Sequence, residues 1–268
     1  MSEWLVHPGL VLVFGAFALP FLRGGARGAA VLALPLLALF FLWQLPEGAL
    51  WRVHWLGYEL APLSIDKLSR LFATIFALMA CGGGLFALGQ QSRLEIPAAY
   101  VYAGSAIGVA LAGDLVTVFV FWELMAVGST LVLWSAGSNS AWAASRRYVM
   151  IHLLGGVVLF AGVTGHLLET GDATFARMAP DSVAHWLILV GFLINAGAPP
   201  LSAWLPDAYP EASWSGTVFL SAFTTKTAVY VLLRGFPGTE FLVWIGLFMV
   251  FYGIVYALLE NDMRRILA

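Results

Sequence analysis

The sequence predicts an all-α, polytopic membrane protein of about nine transmembrane helices, and three observations carry that prediction. Of 268 residues, 61% are hydrophobic and 10% charged, whereas a soluble domain holds roughly 45–50% apolar and about 25% charged residues. The mean hydropathy is +0.88. Short polar or Gly/Pro-rich punctuation cuts the chain into apolar runs, and about 20 such residues suffice to cross roughly 30 Å of hydrocarbon.

The runs fall at residues 6 to 22, 28 to 45, 66 to 89, 97 to 112, 115 to 136, 146 to 168, 183 to 205, 214 to 233 and 240 to 260. The first is preceded by Glu3 and followed by Arg23 and Arg27. It lacks the basic leader and small-residue cleavage pattern of a secretory signal, so it is expected to be retained as a span. Between spans two and three, WRVHWLGYELAPLSID (Trp51 to Asp66) alternates bulky and polar residues and reads as a small β-hairpin expected on the outer membrane face. Gly113 and Asp114 separate spans four and five, and the loop from Glu169 to Asp181 is a solvated connection. Lys and Arg are modestly enriched after odd-numbered spans (Arg23, Arg27, Arg93, Arg146, Arg147, Arg264, Arg265), which predicts an N-terminus outside.

Composition also excludes functions. The lone Cys81 rules out disulfides, thiolate clusters and CxxC redox chemistry within the chain, and is read as packing. A net charge of -2 with scattered basic residues points away from nucleic acid. His152 and His166 lie fourteen residues apart on span six, a spacing that could hold two stacked haems. A second helix with paired histidines is lacking, because His7, His54 and His185 sit at ends or in a loop. No cofactor and no metal site are expected.

What remains are ionisable groups at membrane depth. In FVFWELMAVGST, Glu123 lies nine residues past Asp114, about 13.5 Å by helical rise and close to the midplane. In WSGTVFLSAFTTKTAVYVLLRGF, Lys226 is twelve residues from Trp214 and eight from Arg234, at the same depth. A charge at a helix centre costs roughly 2.5–3.5 kcal/mol on insertion scales, so such residues face protein or a water path and have partners. Glu123 and Lys226 therefore suggest either a structural ion pair or a proton or cation relay. Span seven adds GFLINAGAPPLSAWLPDAYPEAS, where Pro199 and Pro200 interrupt the helix beside Asn195. Broken helices at membrane depth line cavities and mark transport sites. His152, about 7.5 Å past Arg147 by rise, reads equally as a proton step or as a hydrogen-bonded core histidine.

The stretches GDLVTVFVFWELM, GFLINAGAPPLSAWLPDAY, FLSAFTTKTAVYVLLRGF and ENDMRRILA resemble the antiporter-like membrane subunits shared by Mrp-type Na+/H+ antiporters and respiratory complex I, with the D branch of the Mrp type nearest. SIDKLSRLFA and RRYVMIHLLGG fit the same pattern in order, so the resemblance covers nearly the whole chain. It implies an ion-translocating subunit with fourteen or so helices in two inverted repeats, a helix-five glutamate, and lysines on helices seven and eight. Glu123 matches that glutamate and Lys226 the helix-eight lysine; Asn195 stands where many members carry the helix-seven lysine, and Ser202 where many carry histidine. A neutral Asn195 cannot carry a proton, although it can hold water or orient Lys226.

The resemblance divides the chain into N-terminal helices (1–95), a first antiporter-like repeat with a broken helix seven (96–236), and helix nine with the start of a second repeat (237–268). DMRRILA resembles a loop that continues in the family, so the remaining helices are expected from a separate polypeptide, or the chain is a truncation. The expected function is a proton-translocating subunit of a multisubunit cation/H+ antiporter in a bacterial inner membrane, moving H+ against Na+ or another monovalent cation and carrying no redox centre of its own. Glu123 and Lys226 would form the relay, with Asn195 and His152 supporting it. The alternatives are a proton channel serving a quinone oxidoreductase or an ion-driven inorganic-carbon system, and a structural subunit that transports nothing.

Overall fold

The computed structural model describes residues 5–268; Glu3, the expected flank of the first span, lies outside them. The chain is helical apart from one hairpin. In order, it forms α1 (Pro8–Ala18), α2 (Gly24–Gln44), strands β1 (Gly48–Trp55) and β2 (Tyr58–Ile65), α3 (Lys67–Phe86), α4 (Glu95–Leu111), α5 (Leu115–Trp134), α6 (Asn139–Thr170) and α7 (Val183–Ala196). There follow α8 (Trp204–Ala208), α9 (Trp214–Ala222), α10 (Thr224–Gly235), α11 (Glu240–Leu259) and α12 (Met263–Ile266). Six segments are long and apolar enough to span: Gly24–Gln44, Lys67–Gly89, Leu115–Trp134, Asn139–Thr170, Trp214–Gly235 and Glu240–Leu259. Pro8–Phe21, Glu95–Leu111 and Val183–Ala196 are shorter and apolar. Each of these falls on one of the expected runs, and the protein is a multi-pass, mostly helical membrane protein.

α4 is the central post, with only Val101 of its residues not buried. Its sequence EIPAAYVYAGSAIGVAL is rich in Ala and Gly, and small residues let helix backbones approach where no hydrophobic force separates helix from lipid. A Cβ on Gly104 would lie 2.9 Å from Val13 on α1, and one on Gly128 of α5 would lie 2.8 Å from the backbone nitrogen of Tyr102. At the other extreme, α11 has no buried residue. It stands off from α7 and α10 across an apolar groove of ≈ 740 Å³.

Helix starts follow their caps. Asp66 and Ser69 form a reciprocal capping box on α3, and Asp114 Oδ1 accepts from the Thr117 N–H at 2.7 Å at the start of α5, so each satisfies donors that the first turn leaves open. α6 begins at Asn139, seven residues before the expected 146, because Ser138 Oγ accepts from the Ala141 N–H at 3.0 Å. Arg146 and Arg147 are therefore helical rather than in the loop. Arg147 forms a bidentate pair with Asp207, both bonds 2.7 Å.

The hairpin turns through Leu56 (φ 49°) and Gly57 (φ 87°), the two left-handed positions that a tight two-residue connection demands. It bolts several helix ends together. Ala61 donates its N–H to Asp114 and accepts from the Gly113 N–H, both at 2.9 Å. Asp66 at its far end pairs with Arg234 of α10, and the Tyr58 hydroxyl reaches Leu167 O of α6 at 3.4 Å.

Two spans are broken, not one. α7 stops at Ala196 as expected, but the stop is made by Gly197 in the left-handed region (φ 76°). Ala198 N–H bonds Leu193 O at 3.0 Å and Gly197 N–H bonds Ile194 O at 3.2 Å, the double bond of a Schellman end. The prolines then prevent resumption until α8. The eighth span breaks at Phe223, and no proline causes it. Tyr102 of α4 inserts its hydroxyl into the helical ladder, accepting from the Thr224 N–H at 2.8 Å and lying 3.4 Å from Leu220 O. A side chain wedged between the i and i−4 partners parts a helix there.

Candidate functional site

α6 presents its buried stripe at four-residue steps: Tyr148, His152, then the Gly155–Gly156 pair. The glycines are the crossing point for two polar side chains from flanking helices. A Cβ on Gly156 would run into the Glu123 carboxyl group from α5, its carbon at 2.9 Å, and one on Gly155 would sit 3.3 Å from Asn195 Oδ1 of α7. The absence of side chains at 155 and 156 lets an acid from α5 and an amide from α7 lie against adjacent positions of one helix.

Glu123 is half-buried and its Oε1 has no protein partner. Together with His152, Thr130, Trp134 and Val149 it lines a cleft of ≈ 190 Å³ between α5 and α6, room for several waters at about 30 Å³ each. Val127 and Leu153, 53% and 54% exposed, form its open rim on the flank of the molecule. His152 is buried; its Nδ1 lies 3.0 Å from Tyr148 O. A carbonyl can only accept, so Nδ1 carries the proton, and Nε2 is an acceptor with no protein partner. The ring is stacked on Tyr148 at 3.9 Å and meets Trp204 edge-on at 4.8 Å. Trp204, delivered by the restart after the α7 break, also donates to Ile194 O at 3.3 Å. Asn195 is fully buried, and neither side-chain polar atom has a protein partner.

Lys226 is elsewhere. It lies three residues past the α9–α10 break, and its Nζ donates to Ser221 O at 2.7 Å and to Thr225 Oγ1 at 3.2 Å. Ser221 O is one of the carbonyls released by the break. The side chain is exposed, on the stripe of α10 that continues through Val229 and Leu233 into the groove facing α11. Glu123 and Lys226 thus form no ion pair among the described residues, and the expectation that two charges at equal depth answer each other is not met by direct contact. Equal depth constrains one coordinate only; the two side chains point to different sides of the bundle.

Sequence reasoning missed the glycine crossing, which left a signal in HLLGGVVLF, and the Tyr102 wedge, which left none. It also missed a buried carboxylate. Glu95 at the start of α4 is 0% exposed and accepts from Gln90 Nε2 at 2.8 Å, Ser213 at 2.7 Å, Ser135 at 3.2 Å and Ser215. Four donors from three parts of the chain occupy its two oxygens.

A family model described as NADH:quinone oxidoreductase/Mrp antiporter, TM, matches residues 112–268. The M subunit of the NADH-quinone oxidoreductase of Escherichia coli K12 is 32% identical over 239 residues, covering 77% of this chain and 46% of the relative. The D subunit of the Na(+)/H(+) antiporter of Alkalihalophilus pseudofirmus is 26% identical across 100% of this chain and 61% of the relative. The chain thus spans about half the length of the curated relatives it matches. Among solved structures, the fold matches a chain of the archaeal membrane-bound sulfane sulfur reductase (TM-score 0.83, 21% identity, 99% of this chain and 61% of that one). It also matches a chain of the Mrp complex from Dietzia (TM-score 0.73, 24% identity, 97% and 51%). By the family match over more than half its length, the chain belongs to the NADH:quinone oxidoreductase/Mrp antiporter transmembrane family.

Proposed function

We propose that this chain is a proton-translocating subunit of a multisubunit monovalent cation/H+ antiporter, similar to the D subunit of the Mrp type, seated in a bacterial inner membrane with its N-terminus outside. The observation that carries the reading is Glu123: a carboxyl group in mid-helix, seated on Gly156, with an oxygen that no protein group satisfies and a hydratable cleft leading to the flank. A carboxylate so placed takes a proton from a neighbouring subunit's water and holds it at the bilayer midplane. Lys226 is the second station, its ammonium held by the carbonyl of Ser221 and turned toward the groove. Asn195, neutral and buried beside the α7 break, orients water between the stations and carries no proton itself. Other membrane-embedded helices, continuous with this chain or separate, cover α11 and the Lys226 face. Na+ is the expected counter-ion.

The relatives named as the M subunit of an NADH-quinone oxidoreductase favour a second reading, in which the same relay serves a redox-driven complex and electrons pass only through partner subunits. Both readings are tested in everted membrane vesicles holding the complete complex. Under the first, adding Na+ or K+ collapses a preset pH gradient, and Glu123→Gln abolishes this while the complex assembles. Cation-insensitive gradients with intact quinone-linked proton pumping establish the second reading; exchange unchanged in Glu123→Gln refutes a relay through that carboxylate.

A further inference from the structure

Glu123 and Lys226 do not touch, yet a line of hydroxyls joins their neighbourhoods. Next to His152, and outside the lining of the Glu123 cleft, three phenols come from three elements: Tyr102 of α4, Tyr148 of α6, which stacks on the imidazole, and Tyr209 just after α8. They are 0%, 1% and 3% exposed, and Tyr148 and Tyr209 both meet the Trp204 ring edge-on, at 5.5 and 5.9 Å between centroids. The Tyr148 hydroxyl lies near Ser129 of α5 and Thr224 of α10 and hydrogen-bonds to neither. Tyr102 Oη and Thr224 Oγ1 are 2.5 Å apart. Thr224 is two residues before Lys226 and beside Thr225, whose hydroxyl accepts from the Lys226 ammonium.

Two of the three phenols, Tyr148 and Tyr209, have no hydrogen-bond partner in the protein. The large majority of buried side-chain polar atoms are satisfied, by protein or by ordered water, and a water needs two to four polar partners. The phenols, with Thr224 and Ser129, supply them in one place. Were these tyrosines present only for bulk, phenylalanine would fill the same volume without burying an unpaired donor.

Resting on the function proposed above, we infer that Tyr148 and Tyr209 hold water in a hydroxyl-lined junction that passes protons between the Glu123–His152 cleft and the broken segment beside Lys226, around the neutral Asn195. The balance is that of a hydroxyl chain. His152 Nε2 takes a proton from the cleft and gives the same proton up again, while Nδ1–H stays on the Tyr148 carbonyl throughout. A water bound at Tyr148 accepts the proton and gives one up to the next oxygen, Tyr209 or Thr224, whose own proton leaves toward Lys226. No oxygen changes its net protonation. The hydroxyls must turn back before the next transfer; Lys226 receives the proton as a neutral amine, having first passed its previous proton onward, and ends as the ammonium, while Glu123 ends as the carboxylate.

The test is cation-driven exchange in vesicles holding the complete complex, with Tyr148→Phe, Tyr209→Phe and, in parallel, Glu123→Gln. Removing a proton-carrying group costs catalysis orders of magnitude where nothing replaces it, so Tyr148→Phe is expected to lower the maximal rate by roughly tenfold or more. The half-saturating cation concentration and the amount of assembled complex should stay at wild-type values. A role in packing alone would lower assembly or leave the maximal rate unchanged. An unchanged maximal rate in Tyr148→Phe overturns the junction whatever Glu123→Gln does, and Glu123→Gln by itself decides whether the relay reading falls with it. Should Tyr148→Phe fail to assemble, a high-resolution map of the wild-type complex decides. Ordered density within hydrogen-bonding distance of both Tyr148 and Tyr209 supports the junction, and its absence there overturns it.

Discussion

Gly156→Ala isolates the seat of Glu123 from its chemistry. A Cβ at 156 would approach the Glu123 carboxyl carbon to 2.9 Å, whereas ordinary contact begins at 3.4 Å. The carboxyl group must therefore retreat by at least about 0.5 Å, and its nearer oxygen by more. It can do so because it is the far end of a flexible side chain with open space in the cleft, so the fold is not forced to yield. The glycine itself sits mid-helix, where replacing Gly by Ala favours the helix by roughly 0.5–1 kcal/mol. The variant should thus assemble at wild-type level and melt no lower. A displacement approaching 1 Å can cost a reaction about 100-fold when geometry matters, so exchange should fall by roughly tenfold or more. Gly82→Ala, with nothing within 4 Å of its Cβ, is the matched control. The assay is the initial rate of cation-induced gradient collapse, normalised to assembled complex. Wild-type exchange in Gly156→Ala would refute the claim that Glu123 works from its seat on α6.

Two further outcomes follow from the ends of the helices. Burial opposes ionisation of Asp66, but the Ser69 N–H and the Arg234 guanidinium outweigh it and hold the carboxyl below its ordinary 3.8. A folded-state pKa depressed in this way adds stability above the unfolded value, and the contribution is lost only as pH falls through the folded one. Asp66→Asn should therefore lower the melting temperature of the purified protein at pH 7, by a loss of about 1 kcal/mol for the cap and ion pair, and the gap from wild type should close only below about pH 4; a gap already closed at pH 6 refutes this. Glu95→Ala removes the acceptor of Gln90, Ser135, Ser213 and Ser215 and should destabilise by about 1–3 kcal/mol for each donor left buried and unpaired. Glu95→Gln, which keeps one acceptor oxygen, should recover most of the assembled protein, and equal yields from the two variants would contradict the assignment.

The spans were legible because the bilayer forces every backbone polar group into a helix and leaves apolar length as the signal. The α7 break was legible because Pro199 and Pro200 announce it, although Gly197 makes the turn. The break beside Lys226 was not, since its cause is a hydroxyl from Tyr102, more than a hundred residues earlier. The same limit applies to the site. Depth could be counted along α5 from Asp114 and along the eighth span from Trp214, but azimuth could not. FVFWELM is apolar on all sides, so nothing in the sequence says which way Glu123 points. The side it faces is set by Gly155–Gly156 on a neighbouring helix, which only packing reveals. Arg147 falls in a helix and not a loop for a local reason: the serine at 138, which reads as part of the connection, is the cap.

The hairpin has a mechanical consequence. By tying Asp66 to Arg234, Ala61 to the start of α5, and Tyr58 to the end of α6, it makes one end of the bundle a fixed plate. The Tyr102 wedge leaves the far end of α10 jointed rather than rigid. α10 is then a lever pivoting at Arg234, with Lys226 eight residues along it, an arm of about 12 Å by helical rise. A swing of about 5° about that pivot carries the Lys226 backbone about 1 Å sideways. So small an angle, well within the reach of a pushed helix, is enough to make or break the bond from Lys226 to Ser221.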